Sequence, residues 1–232
     1  MSKPYQIILR EAFPFGVLVG VQVPSTKEPV PHNIIQKLRT NERRYAEGLS
    51  GFRQMNWVAG RLAMHKAIGT LGIAQEDILT GPYGEPVLPK QATGSISHKD
   101  GLVVALAARS KHGHIGVDLE DGRGPSRNVA EKVLTEAELV TVRALPEERQ
   151  WAATLMRFSI KEAVYKALFP YVRRYVGFRE AHVDLEFNGP CRVKLNLEEN
   201  EGPFKVEARL HWVGDRILSV ARIRREDPNR KH

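Results

Sequence analysis

The chain runs through one kind of pattern twice, and that repetition limits the folds open to it more than any single motif does. From Ile34 to Gly69 apolar residues recur three and four apart, through Leu38, Tyr45 and Leu49 and then Trp57, Met64 and Ile68, as the buried face of a helix requires. Short apolar segments follow, Gly94–His98 and Leu102–Leu106, joined through Lys99-Asp100-Gly101 as a hairpin would be. After a turn at Asp121–Pro125 the order repeats. Helical stripes span Ala130–Arg143 and Glu147–Leu168, then strands are expected at Ala181–Phe187, Cys191–Leu197, Phe204–Trp212 and Ile217–Ile223. Each half also holds an Asp-Leu-Glu strand, Asp118–Glu120 and Asp184–Glu186, and an apolar strand ending in arginine, Arg109 and Arg222. The pattern predicts an α+β protein of two similar lobes in a pseudo-twofold arrangement, each a small antiparallel sheet packed with helices. The boundary is expected in the turn, giving lobes of residues 1–123 and 124–232.

Local signals refine this. Residues 5–23 read as one or two further strands, and Gly48 and Gly51 separate two helices. Pro146 opens the helix from Glu147, where its missing amide costs nothing, and Pro170 is expected to end that helix just after Leu168.

Composition excludes several classes. With 42% hydrophobic and 27% charged residues the chain can bury a core, so it is neither disordered nor collagen-like. Cys191 is the single cysteine, which rules out an internal disulfide or a thiolate metal cluster. Apolar runs such as Leu102–Ala108 are too short to cross a bilayer, and Met1-Ser2-Lys3-Pro4 lacks the apolar stretch of a signal peptide, so a cytoplasmic protein is expected. The net charge of +8 favours phosphate-rich ligands or acidic partner surfaces without choosing among them. The basic end, through Arg230 and Lys231, reads as a solvated terminus.

The acids carry the chemistry. Asp118 and Glu120 are two apart on an expected strand, so both carboxylates lie on one face and repel unless a cation or proton intervenes. That suits Mg²⁺, a hard ion that takes a few carboxylates and keeps other positions for water or phosphate. Asp184-Leu185-Glu186 has the same spacing but no comparable setting, because only the first copy follows a glycine, Gly116, and precedes a glycine-rich turn. Glu162 and Lys166 share one face of a helix, which a plain surface ion pair would also explain. Ser97 and His98 at a strand end can donate to a phosphate. Arg43, Arg44, Arg53 and Arg61 are a scattered basic set, and His112-Gly113-His114 is a weak zinc signal.

Taken in order, Gly84-Glu85-Pro86, Ser95-Ile96-Ser97-His98, Gly116-Val117-Asp118-Leu119-Glu120 and Phe158-Ser159-Ile160-Lys161-Glu162-Ala163-Val164-Tyr165-Lys166 resemble the 4′-phosphopantetheinyl transferases, of the longer monomeric type that serves peptide and polyketide synthases. The resemblance implies Mg²⁺-dependent transfer of phosphopantetheine from coenzyme A to a serine of an acyl or peptidyl carrier protein, with release of 3′,5′-ADP. Mn²⁺ is an alternative ion. It implies Asp118, Glu120 and Glu162 as metal ligands and Lys166 at the pyrophosphate. Ser97 and His98 would meet phosphates of coenzyme A, with Arg53 and Arg61 near the nucleotide and Gly84 and Pro86 shaping a turn against adenine. Glu162 is the first candidate for general base, and Glu138, read as a helix-surface acid, is the second. The segment Val129–Arg143 is a candidate docking site for the carrier. No nucleic-acid or membrane partner is implied. Two departures stand out: Phe158 replaces the family's usual tryptophan, and Glu85 replaces a usual lysine, so no binding role falls to Glu85.

Two other readings compete. A basic nucleic-acid-binding module leaves the acids unexplained, whereas a metal-dependent nuclease or phosphohydrolase explains them without a carrier protein.

Overall fold

A computed structural model describes residues 4–123, 129–185 and 191–226. The chain forms two compact units, residues 1–112 and 113–232.

The first unit is built on a four-stranded antiparallel sheet. Two hairpins, β1 (Ile7–Phe13) with β2 (Gly16–Gln22) and β3 (Ala92–Lys99) with β4 (Leu102–Arg109), join in the order β1-β2-β4-β3. The β3–β4 turn uses Asp100 and Gly101 at φ 38° and 82°, the positive values that a tight hairpin needs and that the sequence signalled. Three helices follow β2: the single-turn α1 (His32–Ile35), then α2 (Thr40–Glu47) and α3 (Gly51–Thr70). Along α3 the residues Val58, Ala59, Ala63, Met64, Ala67 and Ile68 are fully buried, in one core with Val19, Val21, Val103, Ala105 and Ala107 of the sheet. Alanines on both sides let the helix lie close, and each fully buried Val, Ile or Met contributes roughly 1.5–3 kcal/mol.

In the second unit β5 (His114–Asp121) pairs with β9 (Arg216–Arg225), and β9 pairs with β8 (Phe204–Val213), all antiparallel. A separate ribbon joins β6 (Ala181–Leu185) to β7 (Cys191–Leu195). The helices are α4 (Ala130–Val133), α5 (Glu136–Arg143) and the 26-residue α6 (Glu147–Val172), whose Ile160, Ala163, Val164, Ala167 and Leu168 share a core with Ala221 and Ile223 of β9. Cys191 is half-buried, and burial pushes its thiol up to about 12.

Helices packed on small antiparallel sheets make this an α+β protein, as expected. Three local expectations change. The expected boundary near residue 123 moves to 112/113, because β5 finds its ladder partner in β9 and therefore belongs to the second unit. The single helix over Ala130–Arg143 is broken: Leu134 is extended, and Thr135 caps α5 in a reciprocal box with Glu138. Pro170 does not end α6, which completes its last turn to Val172 before Arg173 leaves it at φ 54°. Glu186 of the second Asp-Leu-Glu segment, and Arg230 and Lys231, lie outside the described residues.

Candidate active site

The second unit places its acids by a close approach of backbone to backbone. Gly116 of β5 lies against α6, so that a Cβ there would overlap the carbonyl of Ala163 and come within 2.9 Å of the Ala167 nitrogen. The strand's period of two puts Asp118 and Glu120 on the same face as Gly116, toward α6. Val117 and Leu119 alternate with them and are buried. Along α6, Glu162 and Lys166 flank the contact residue Ala163 on neighbouring positions.

Asp118 is 4% exposed. Lys166 Nζ donates to its Oδ1 at 2.8 Å and to the Val117 carbonyl at 3.0 Å. Burial raises the Glu162 carboxyl above the ordinary carboxylate range; the charges of Asp118 and Glu120 raise it further, and Lys166 opposes them. All four sequence-derived residues of this group therefore act on one region of the unit. They do not stand as a closed ligand set: among the described residues no three His, Cys, Asp or Glu side chains are arranged to hold a metal ion, and Asp118 instead faces Lys166. The donor chemistry still fits a hard divalent cation. Three oxygen-bearing acids, one of them held partly toward its neutral form by the other two, are what such an ion would neutralise. His112 and His114 do not join them. His112 ends a single 3₁₀ turn, and His114 meets Tyr171 edge-on at 4.7 Å.

Beside Glu162 a narrow, mainly apolar pocket opens between α6 and the chain that follows it, lined by Glu162, Tyr165, Leu168, Tyr175, Phe178 and Leu195 among others. Neither pocket nor lining was foreseen, because residues 175–177 are loop that runs into a single 3₁₀ turn at Phe178 and carry no periodicity. Tyr175 is one of the more exposed aromatic residues of the chain, at 71%.

Lys161 and Glu138 are not surface residues. Both are about 1% exposed at the side chain and paired at 2.6 Å, and Lys161 also donates to the Val133 carbonyl at 2.8 Å. The other Glu138 contacts are with the amides of Val183 at 2.6 Å and Thr135 at 2.7 Å. An acid so buried and so committed to these three donors is out of reach of a substrate proton, which removes Glu138 as a base candidate. The reading of it as a helix-surface acid is corrected for the same reason.

The remaining sequence-derived residues lie in the first unit. Ser97 is buried and His98 exposed near the end of β3, on opposite faces as their spacing requires. Arg53 is exposed at the start of α3. Arg61 is only 4% exposed. Its guanidinium donates to the carbonyls of Ile78 at 2.6 Å and Leu79 at 3.0 Å and to Thr80 Oγ1 at 2.9 Å, and stacks over Trp57 at 4.3 Å. Burial lowers its pKa to about 10, against the pull of Glu42 and Tyr45, which leaves it charged at neutral pH. Arg61 thus braces the segment that leads into the turn with Gly84 and Pro86. That turn is closed by Thr80 bridging Pro86, by Gly84 at φ 88°, and by Glu85, whose carboxylate accepts the Tyr83 amide at 2.9 Å and covers Gly81 where a Cβ would stand.

Comparison with known proteins adds an independent line. Residues 114–221 match the 4′-phosphopantetheinyl transferase superfamily, and residues 42–108 match the 4′-phosphopantetheinyl transferase N-terminal domain. The chain is 32% identical over 143 residues to the 4′-phosphopantetheinyl transferase Npt of Nocardia iowensis, a match covering 58% of this chain and 60% of that protein. It is 28% identical over 180 residues to the 4′-phosphopantetheinyl transferase PptT of Mycobacterium tuberculosis, covering 74% and 78%. Among solved structures, the holo-[acyl-carrier-protein] synthase of Thermotoga maritima shares 23% identity over 48% of this chain and 63% of its own, with a TM-score of 0.39.

Proposed function

The chain belongs to the 4′-phosphopantetheinyl transferase superfamily, and on that premise we propose that it transfers 4′-phosphopantetheine from coenzyme A to a serine of an acyl or peptidyl carrier protein. The observation that carries this reading is the group on β5 and α6: Asp118 ion-paired with Lys166, and Glu162 raised first by burial and then by its acidic neighbours. Phosphoryl transfer asks little covalent help of a protein. It asks for an aligned nucleophile and for cationic groups around the phosphates.

In this reading Asp118, Glu120 and Glu162 would hold Mg²⁺, with Mn²⁺ as a substitute. When bound, the ion supplies charge neutralisation at the diphosphate and polarises the phosphorus under attack. Lys166 supports the same role from the chain itself: its ammonium is part-exposed and can exchange Asp118 for a diphosphate oxygen. The serine oxygen forms its bond to phosphorus as the bond to 3′,5′-ADP breaks. The serine proton passes to Glu162, the carboxylate on the same face of α6 as Lys166. Ser97, His98 and Arg53 would meet phosphates of coenzyme A. Gly84 and Pro86 would form the wall against adenine, and Arg61 would brace that wall from behind. The net charge of +8 supports a chain that draws in acidic carriers, which in this reading include those of secondary-metabolite synthesis, with the chain acting as a cytoplasmic monomer. Among the described residues no helix is long and apolar enough to cross a membrane.

The test is a panel of purified apo-carrier proteins incubated with the chain, coenzyme A and Mg²⁺ and read by intact mass. Addition of one phosphopantetheine to the carrier serine is expected. A panel left unmodified, with coenzyme A not bound, overturns the reading.

A further inference from the structure

A buried carboxylate in the first unit does for the turn at residues 80–86 what no regular ladder does. Glu42, the third residue of α2, is fully buried. Its Oε2 accepts the amide of Arg39 at 3.0 Å, and its Oε1 accepts both the amide of Ile78 at 2.7 Å and His65 Nε2 at 2.7 Å. Ile78 is also the residue whose carbonyl takes the guanidinium of Arg61, so acid and base clamp one peptide segment from its two polar sides. Trp57 Nε1 adds a hydrogen bond to Thr80 Oγ1 at 2.8 Å. Thr80 and Pro86 close the turn directly beyond this clamp.

The same device is built a second time. Glu138, the third residue of α5, accepts the amide of its own cap residue Thr135, the amide of Val183, and a basic group of the long helix, Lys161. Lys161 occupies in α6 the place that His65 occupies in α3, each four residues after a buried arginine, Arg157 and Arg61. A fully buried charge is costly unless its hydrogen bonds are complete, so a construction found twice with one spacing marks a fixed mechanical part and not incidental packing. In the second unit the part holds a strand. In the first it holds Ile78, and through it the turn.

We propose that Glu42 is a positioning residue: with His65 and Arg61 it fixes the Ile78–Thr80 segment, and so orients the turn through Gly84 and Pro86 toward the nucleotide end of coenzyme A. The nucleotide part of this statement rests on the transferase reading; the mechanical part does not.

Two measurements on the full chain separate them. In Glu42→Gln the shape is kept, but an amide group now faces donors that the carboxylate accepted. Hydrogen exchange across residues 78–87 is expected to accelerate roughly tenfold or more while α3 and β4 keep their protection. Calorimetry with coenzyme A is expected to show about tenfold weaker binding, and turnover at saturating coenzyme A is expected to stay within about twofold, a KM effect. His65→Gln, whose amide can still donate to Glu42, should retain exchange protection and affinity, whereas His65→Leu should lose part of both. Unchanged exchange at 78–87 in Glu42→Gln overturns the proposal, as does acceleration spread evenly over the whole first unit. Local acceleration with unaltered affinity overturns the nucleotide part. If the unaltered chain binds no coenzyme A, the transferase reading falls while the exchange result still decides the mechanical claim.

Discussion

The carbonyl of Ala163 on α6 rests on Gly116 of β5, in the space a side chain would need. This contact sets how near the helix with Glu162 and Lys166 comes to the strand with Asp118 and Glu120. Gly116→Ala is expected to destabilise the second unit by about 3 kcal/mol, at the upper end for overpacking, because backbone atoms oppose the new methyl and cannot rotate away. Urea unfolding checks the stability, and transfer activity should be lost even in conditions where the variant stays folded.

Glu162 is a site of stored repulsion. Its folded pKa is raised, first by burial and then by Asp118 and Glu120. The folded state therefore binds more protons than the unfolded one as pH climbs from the ordinary carboxyl value to the raised one. Stability falls across that window. Glu162→Gln is expected to raise the melting temperature of the metal-free chain at neutral pH, to flatten that pH dependence and to abolish transfer. Mg²⁺ should stabilise the unaltered chain and have far less effect on the variant, as thermal unfolding with and without the ion will show.

The pair of Asp118 and Lys166 is next. Lys166→Met leaves a nearly buried carboxylate without its ammonium; because the lysine is partly exposed, the stability loss is expected near 1–2 kcal/mol, below the cost of breaking a fully buried pair. Asp118→Asn keeps the shape and loses the charge, and transfer should fall by roughly a hundredfold or more, measured as holo-carrier formed per minute.

Glu85 closes its own turn by accepting the Tyr83 amide. Glu85→Lys is expected to lower the melting temperature by about 2–4 °C, the change that about 1 kcal/mol produces in a chain of this size. It should also tighten coenzyme A binding, since a cation replaces an acid in the turn proposed to face that polyanionic ligand. Differential scanning fluorimetry and calorimetry read the two effects, which have opposite signs.

A chain of net charge +8 should meet an acidic carrier faster at low salt. The transfer rate at subsaturating carrier is expected to drop by about an order of magnitude between 0.01 and 0.3 M salt, as the Debye length shortens from about 30 Å to below 8 Å.

Much of this architecture is legible in the residues. The hairpin through Asp100-Gly101, the long helix over residues 51–70 and the shared face of Asp118 and Glu120 all follow from local spacing and turn chemistry. Gly116 signalled a close approach, and the approach is that of α6. Long-range polar contacts are what spacing cannot reveal. Nothing local to Glu42, Arg61 or Lys161 says that each is buried and saturated by partners tens of residues away. Glu138 is intermediate: Thr135-Glu136-Ala137-Glu138 is a visible capping signal that breaks the helix expected over Ala130–Arg143, yet its bond to Val183 is not foreseeable. The move of β5 into the second unit has the same origin, since the partner that claims it lies about a hundred residues downstream.

Cys191 adds a practical consequence. Its half-buried thiol, pushed up to about 12, holds almost no thiolate at neutral pH, and thiolate is the form that maleimides and iodoacetamides attack. With no competing thiol elsewhere in the sequence, a cysteine introduced at exposed Val140 or Tyr83 would carry a fluorophore selectively in otherwise unaltered protein. Each unit then becomes separately visible to spectroscopy while it works.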